Sequence, residues 1–145
     1  MSSFIRPMLA GLAVAAAVAI PLAVAETTSL KADLKGSEEV PPTNSKATGS
    51  LTATYDSNSK MLSWKGNVSG LSGDPTAAHF HGPAEPGKNA GVLVPAPGVK
   101  SGAFEGSARV EDDKAKIIMD GKSYFNIHTK ANPKGEVRGQ VVKAK

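Results

Sequence analysis

The sequence predicts an all-β domain, an antiparallel Greek-key-like β-sandwich or barrel of about seven or eight strands. Glycine and proline are frequent, with 15 and 10 occurrences in 145 residues. Short runs in which apolar and polar residues alternate recur between turn-forming residues, and no long stretch has the period of a helix. No internal repeat is visible, so residues 26–145 are expected to form one domain.

Alternating runs define the expected strands. In the run at 60–69, Leu62, Trp64 and Val68 share one face, so Trp64 is expected to be the main aromatic residue of the core. The run at 114–120, which precedes Gly121, fits either a strand or a helical turn that the glycine ends. The other expected strands are residues 27–34, 49–55, 76–81, 102–110, 123–129 and 135–142.

Turn-forming residues separate these runs. Residues 36–43 are expected to be a loop or a sheet edge, because two adjacent prolines cannot donate to a strand ladder. The Glu38-Glu39 pair in that segment is expected to be solvated. Residues 111–113 are interpreted as an acidic turn. Residues 82–98 form a long connection rich in proline and glycine, interrupted by three apolar residues, and connections of this length are usually functional or mobile.

The first 25 residues have the pattern of a secretory signal peptide. A short segment with one positive charge precedes an apolar run at 8–20, and Ala23-Val-Ala25 supplies the small residues of a cleavage site. The alternative is an uncleaved membrane anchor, but the run is shorter than the roughly 20 residues of a spanning helix, and Pro21 follows it. We therefore expect cleavage after Ala25, export to the periplasm or the cell exterior, and no membrane span in the mature protein.

Composition narrows the classes of partner. The formal net charge is +4, and the basic residues are mostly isolated lysines. Nucleic-acid binding would require a concentrated basic patch, so this class is excluded. The chain has no cysteine, so an exported form has no disulfide and its stability must come from the core, a metal or a partner. The sequence does not indicate an oligomeric state.

The three histidines all lie in two β-like segments. His79 and His81 form a His-x-His pair, and His128 lies in the run Ser-Tyr-Phe-Asn-Ile-His-Thr at 123–129. Because side chains alternate along a strand, His79 and His81 share one face, while Phe80 points to the other. Tyr124, Asn126 and His128 likewise share a face. If the apolar faces form the core, the imidazoles stand on the outer face of a sheet.

This pattern predicts a metal site formed by His79, His81 and His128. Two imidazoles of a His-x-His pair lie about 6–7 Å apart at Cβ and can reach one ion. Imidazole binds Cu(II), Zn(II) and Ni(II), and the usual affinity order places copper ahead of zinc. The alternative is that the histidines are structural and bond to loop backbone. The candidates for orienting a bound ion through hydrogen bonds are Tyr124, Asn126, Glu136, Arg138 and Glu85.

Four sequence blocks in order resemble a CHRD (chordin-type) domain. They are Ser-Glu-Glu-Val-Pro-Pro at 37–42, Ala-His-Phe-His-Gly-Pro-Ala at 78–84, Tyr-Phe-Asn-Ile-His-Thr at 124–129 and Pro-Lys-Gly-Glu-Val-Arg-Gly-Gln at 133–140. The resemblance covers residues 30–142. It implies an extracytoplasmic β-sandwich-like domain of the short, exported bacterial type, and it implies no established reaction.

A more distant resemblance is to Cu/Zn superoxide dismutase, which holds copper on an outer sheet face through a His-x-His strand and further histidines. His79 and His81 are similar to that pair, and His128 is a further ligand candidate. The chain lacks a histidine and aspartate cluster for zinc, a disulfide and a fourth histidine, which argues against dismutase activity.

No catalytic residue and no organic cofactor site is predicted. The sequence has no nucleophile elbow, phosphate-binding loop or dinucleotide fingerprint, which argues against a hydrolase or a kinase. Two hypotheses therefore remain. The first is an exported domain that binds one copper ion, with zinc as the alternative metal. The second is a non-enzymatic extracellular module that binds a protein partner through the connection at 82–98 and an exposed strand edge.

Overall fold

The computed structural model describes residues 10–22 and 24–145, and it confirms the all-β prediction. The described residues form eight strands, one short α-helix and, between the first two strands, a single 3₁₀ turn at Gly36–Glu38. The strands are β1 (Thr27–Lys35), β2 (Thr48–Asp56), β3 (Met61–Ser69), β4 (Pro75–His81), β5 (Val92–Pro95), β6 (Gly102–Arg109), β7 (Ser123–Thr129) and β8 (Val137–Lys143), with the helix α1 (Asp112–Met119) between β6 and β7.

All strand pairs are antiparallel and belong to one sheet in the order β5-β4-β7-β8-β1-β2-β3-β6. The sheet curls into a nearly closed barrel or sandwich. Strands β1, β2 and β3 form consecutive hairpins, while β8 returns to pair with β1 and β7 pairs with both β4 and β8. The topology therefore places β4 beside β7, which are far apart in sequence and carry all three histidines.

The core lies on the inner face of this sheet, and the alternation of the strands defines it. Leu62, Trp64 and Val68 are buried as predicted. The Trp64 ring packs edge-on against Phe80 at a centroid distance of 5.3 Å, and Phe80 packs against Phe125 at 4.9 Å. The central aromatic group of the core is therefore shared between Trp64 on β3 and the phenylalanines that alternate with the histidines on β4 and β7.

The segment after β6 is a helix, so the helical alternative is correct and the strand alternative is wrong. Ala115 and Ile118 are three residues apart on one side of α1, and both pack into the core. Asp112 and Asp113 belong to the first turn of α1, not to an acidic turn, and their charges suit the positive end of a helix. Gly121, with φ of 74°, follows the helix in the left-handed conformation that glycine favours.

The long connection at 82–98 also contains a short strand. Its apolar residues form β5, which pairs with β4 at the edge of the sheet. Residues 10–22 and 24–26 have no regular secondary structure, and their apolar side chains are exposed. The rest of the predicted signal peptide, residues 1–9 and 23, lies outside the described residues. Within the described ranges, no helix has the length and apolar character needed to cross a membrane.

We expect Gly106→Ala to destabilise the domain by about 1–3 kcal/mol, as overpacking does. Gly106 on β6 lies directly opposite Trp64 on β3, and a Cβ at this position would lie 2.6 Å from the indole Cζ2. Urea unfolding measures the change, with the exposed neighbour Ser107→Ala as control. A Gly106→Ala variant at least as stable as wild type would show that the indole can shift, because alanine otherwise favours a strand over glycine.

Candidate metal site

The three histidines meet where β4 and β7 pair. His79 lies opposite Asn126 and His81 lies opposite Tyr124, while Phe80 lies opposite Phe125 on the core side. The Nδ1 atom of His79 is 3.2 Å from Nε2 of His128. One nitrogen from each of the three imidazoles lies within 4.8 Å of the others. The alternation inferred from the sequence therefore brings the three predicted ligands together.

Two of the imidazoles are anchored to backbone carbonyls through Nδ1. His81 Nδ1 is 2.9 Å from the oxygen of Ala90, and His128 Nδ1 is 2.8 Å from the oxygen of Pro133. A carbonyl oxygen only accepts hydrogen bonds, so each Nδ1 carries the proton and each Nε2 carries the lone pair in the neutral ring. The alternative interpretation, in which histidines bond to loop backbone, is therefore correct for these contacts, and the same contacts leave both Nε2 atoms free to accept.

The Nε2 atom of His81 is buried and has no hydrogen-bond partner among the described residues. Unpaired polar atoms are rare in protein interiors, because each one costs the free energy of its lost hydration. His79 and His81 are also close enough to pack edge to face, with ring centroids 5.3 Å apart. The cluster therefore contains a lone pair that nothing in the described chain satisfies.

Burial lowers the pKa of both His79 and His81 below the ordinary value of 6.5. For His79 the neighbouring imidazoles of His128 and His81 lower the pKa further, because charged rings would repel one another. For His81 the hydrogen bond to Ala90 acts in the opposite direction but does not outweigh burial. Both rings are therefore neutral at pH 7, which is the form that binds metal ions.

The outer face of the sheet is covered at this point. The connection between β4 and β5 crosses it, and His81 is only 9% exposed. The Tyr124 ring stacks on the His81 ring with centroids 4.8 Å apart, and its hydroxyl donates to the Ala90 oxygen. The same tyrosine oxygen accepts from the Ala90 amide. Tyr124 thus fixes both the plane of His81 and the carbonyl that holds its Nδ1.

Arg138 on β8 ties this covering segment to the sheet. Its guanidinium carbon lies 3.9 Å from the centre of the Tyr124 ring. The guanidinium donates to the Lys88 oxygen at 3.1 Å and to Asn89 Oδ1 at 2.8 Å. It also forms a buried ion pair with Glu39, in which Nε and Nη2 both reach Oε2, at 2.9 and 2.8 Å. Arg138 is therefore paired with a carboxylate from the segment after β1.

Glu39 was expected in a solvated loop, and that expectation is wrong, since the residue is 3% exposed. Burial raises the pKa of Glu39 above its ordinary value of 4.5, even though the Arg138 charge beside it acts to lower the pKa. Its Oε1 atom has no hydrogen-bond partner among the described residues. The signal in the sequence was indirect: an arginine on the polar face of a buried strand requires a carboxylate, and the nearby Glu136 is already engaged by other polar groups.

Asn126 and Glu136 take different positions relative to the histidines. Asn126 Oδ1 is 3.1 Å from His128 Nε2, inside the cluster. Glu136, although fully buried, makes its side-chain hydrogen bonds to a separate polar group. The partners of its carboxylate are Ser45, Ser72, Thr129 and Asn132. Glu85 is exposed and lies 3.7 Å from Lys122 at the surface. Asn126, like Tyr124, is therefore in direct contact with a predicted ligand.

The family model of the CHRD domain matches residues 30–141 of the sequence. The chain belongs to the CHRD domain family. No curated protein and no solved structure matches it. The matched region of this CHRD domain contains the three histidines, Asn126 and the Glu39–Arg138 pair. The family resemblance inferred from the four sequence blocks is confirmed, and the chemistry of the site has to be argued from its own residues.

The geometry of the cluster fits a metal ion of ordinary size. Two imidazole nitrogens bound tetrahedrally to zinc at 2.0–2.1 Å lie about 3.3 Å apart. The His79–His128 nitrogen separation of 3.2 Å is already close to this value. Separations up to 4.8 Å within the cluster would have to shorten by about 1.5 Å when an ion binds.

Proposed function

We propose that this CHRD domain binds one metal ion, copper ahead of zinc, through His79, His81 and His128. The observation that carries the proposal is the anchoring of His81 and His128 through Nδ1, which leaves their Nε2 lone pairs inside the cluster. Hydrogen bonds of this kind orient ligand histidines in metalloproteins and raise their basicity. A bound cation would also satisfy the buried His81 Nε2.

Copper is preferred to zinc on chemical grounds. All three donors are imidazole nitrogens, which suit both ions, and Cu(II) has the higher affinity in the usual order of divalent metals. Three protein nitrogens leave at least one position for a further donor, which distinguishes this site from a closed structural zinc site. The function would be copper handling or redox chemistry outside the cytoplasm, since the first 25 residues have the pattern of a cleaved export signal.

Isothermal titration of the metal-free purified protein with Cu(II), and separately with Zn(II), tests the proposal. We expect one ion per chain, and we expect the triple variant His79→Ala/His81→Ala/His128→Ala to lose that binding. The control is Glu105→Gln, which removes an exposed carboxylate on β6 and should leave the titration unchanged. Circular dichroism checks that each variant is folded. Equal binding by wild type and the folded triple variant would show that the three histidines do not form a metal site.

A second candidate function is a protein-interaction module without a metal. The observation that favours it is the edge strand β6, which pairs with β3 on one side and has no strand partner on the other within the described chain. A free strand edge of this length can accept a strand from another protein. This candidate predicts that the triple histidine variant keeps partner binding, while a proline placed at the outer edge of β6 abolishes it.

A further inference from the structure

The amide of Asn126 lies inside the histidine cluster. Asn126 lies on β7 two residues before His128, directly opposite His79 on β4, and is 1% exposed. Its Oδ1 atom is 3.1 Å from His128 Nε2. Because His128 Nδ1 donates to the Pro133 oxygen, the neutral ring presents a lone pair at Nε2. The amide oxygen and Nε2 are then two acceptors that face each other.

Glu39 disfavours the reversed orientation of the Asn126 amide, in which Nδ2 would face His128 and Oδ1 would face the Glu39 carboxylate. A Cβ placed on Gly135 would lie 2.5 Å from Glu39 Oε1 and 2.7 Å from Asn126 Nδ2, so these two atoms border the same point. With the nitrogen turned to the carboxylate, the oxygen faces the histidines. A reversed amide would place its oxygen against the carboxylate.

The cluster therefore contains three acceptor atoms. They are Nε2 of His81, which has no partner among the described residues, Nε2 of His128 and Oδ1 of Asn126. A proton on His79 Nδ1, which lies 3.2 Å from His128 Nε2, can satisfy that acceptor but not the other two. A group of acceptors without enough donors between them is electrostatically unfavourable, and a cation removes this conflict.

We propose that Oδ1 of Asn126 is a fourth ligand of the ion that the three histidines hold, with Glu39 as the residue that orients its amide. This inference rests on the proposed function, because it concerns the same ion. The donor set becomes three imidazole nitrogens and one amide oxygen. Oxygen donors favour harder ions, whereas Cu(I) prefers soft sulfur ligands. The site is therefore selective for divalent copper or zinc over Cu(I), and Asn126 provides that selectivity.

The test compares Asn126→Leu, which keeps the side-chain size and removes the donor, with Asn126→Asp, which keeps an oxygen in the same place. We expect Asn126→Leu to weaken Zn(II) and Cu(II) binding by roughly 10–100-fold, the range that changes around metal ligands produce. Its Cu(I) affinity should change much less, so the preference for the divalent ions should fall. Asn126→Asp keeps an oxygen at the ligand position, although its second oxygen faces Glu39, so it should bind Zn(II) more tightly than Asn126→Leu does.

Cu(II) electron paramagnetic resonance provides an independent readout. In wild type labelled with ¹³C-asparagine, an amide oxygen bound to Cu(II) should produce a resolved hyperfine coupling to the Asn126 side-chain carbonyl carbon, which Asn126→Asp in the same labelled medium should lose. This measurement uses wild type, so it decides the question even if Asn126→Leu does not fold.

The two proposals fail in distinguishable ways. If wild type binds no ion, the proposed function is wrong and this inference falls with it. If wild type binds one ion, but Asn126→Leu binds Zn(II) and Cu(II) with unchanged affinity or the ¹³C coupling is absent, the three-histidine site stands and the Asn126 ligand is overturned.

Discussion

Arg138→Met is expected to destabilise the domain by about 3–5 kcal/mol, the effect of removing one partner of a buried ion pair. Glu39 and Arg138 are 3% and 5% exposed, so the remaining carboxylate would have no access to water. The substitution also removes the hydrogen bonds to the Lys88 oxygen and Asn89 Oδ1. The segment that carries Ala90 over His81 should then loosen. Chemical unfolding measures the stability, and amide hydrogen exchange at residues 88–91 measures the loosening.

The loss of folding stability caused by Arg138→Met should depend on pH in a defined direction. Burial already raises the pKa of Glu39 above 4.5 in the presence of Arg138, and without the arginine the carboxyl should bind a proton more readily still. A folded state that binds its proton more tightly than the unfolded state loses stability as the pH rises above the unfolded pKa. The variant should therefore be least stable at alkaline pH and recover part of its stability on acidification towards pH 4.5.

Two controls separate the buried charge from a general packing effect. The double variant Glu39→Gln/Arg138→Met removes both charges and should be more stable than Arg138→Met alone. Arg109→Met breaks the exposed pair with Glu111, whose side chains are 62% and 56% exposed, and should leave stability nearly unchanged. If Arg138→Met were as stable as Arg109→Met at pH 8, the Glu39–Arg138 pair would contribute nothing to the fold.

Glu136→Gln is expected to cost about 2–4 kcal/mol at pH 7, in line with the loss of hydrogen bonds to a buried charged acceptor. The carboxylate accepts from the Ser72 amide at 3.0 Å, from the Ser72 hydroxyl and from Asn132 Nδ2 at 2.9 Å. It also accepts from the hydroxyls of Thr129 and Ser45. A glutamine would place its own NH₂ donors against some of these donors and leave them unsatisfied.

The pH dependence of Glu136→Gln follows from the direction of the pKa shift. Burial raises the pKa of Glu136, but the hydrogen bonds from Ser72, Thr129 and Asn132 together outweigh burial and lower it below 4.5. A carboxyl with a lowered folded pKa contributes stability above its unfolded pKa, and that contribution is lost as the pH falls through the folded pKa. Wild type should therefore lose this stability below pH 4.5, and the difference from Glu136→Gln should shrink.

Urea unfolding from pH 7 to pH 3 measures this convergence. The matched control is Glu38→Gln, which removes an exposed carboxylate from the loop after β1 and should have little effect at any pH in this range. The comparison of wild type and variant at each pH cancels the titration of the other carboxyl groups. A stability difference that stays constant down to pH 3 would show that Glu136 is not the charged acceptor at the centre of this cluster.

Several features of the site could be predicted from local sequence alone. Alternation along a strand has a period of two residues, so it assigned Phe80 to the core and His79 and His81 to the opposite face before any pairing was known. The same rule placed Asn126 and His128 together. The run at 114–120 was ambiguous because its residues suit both a strand and a short helix. The packing of Ala115 and Ile118 into the core distinguishes the two conformations.

The sequence by itself determined the all-β class, the CHRD membership and the three histidines on one face, because these depend on composition, motifs and short-range periodicity. Only the tertiary structure decided that Glu39 is buried against Arg138, 99 residues further along the chain. It also decided that the segment around Ala90 covers His81 and that Asn126 lies between Glu39 and the histidines. Contacts of this kind depend on which strands pair and on which charged groups become buried away from water. A short-range sequence pattern determines neither of these.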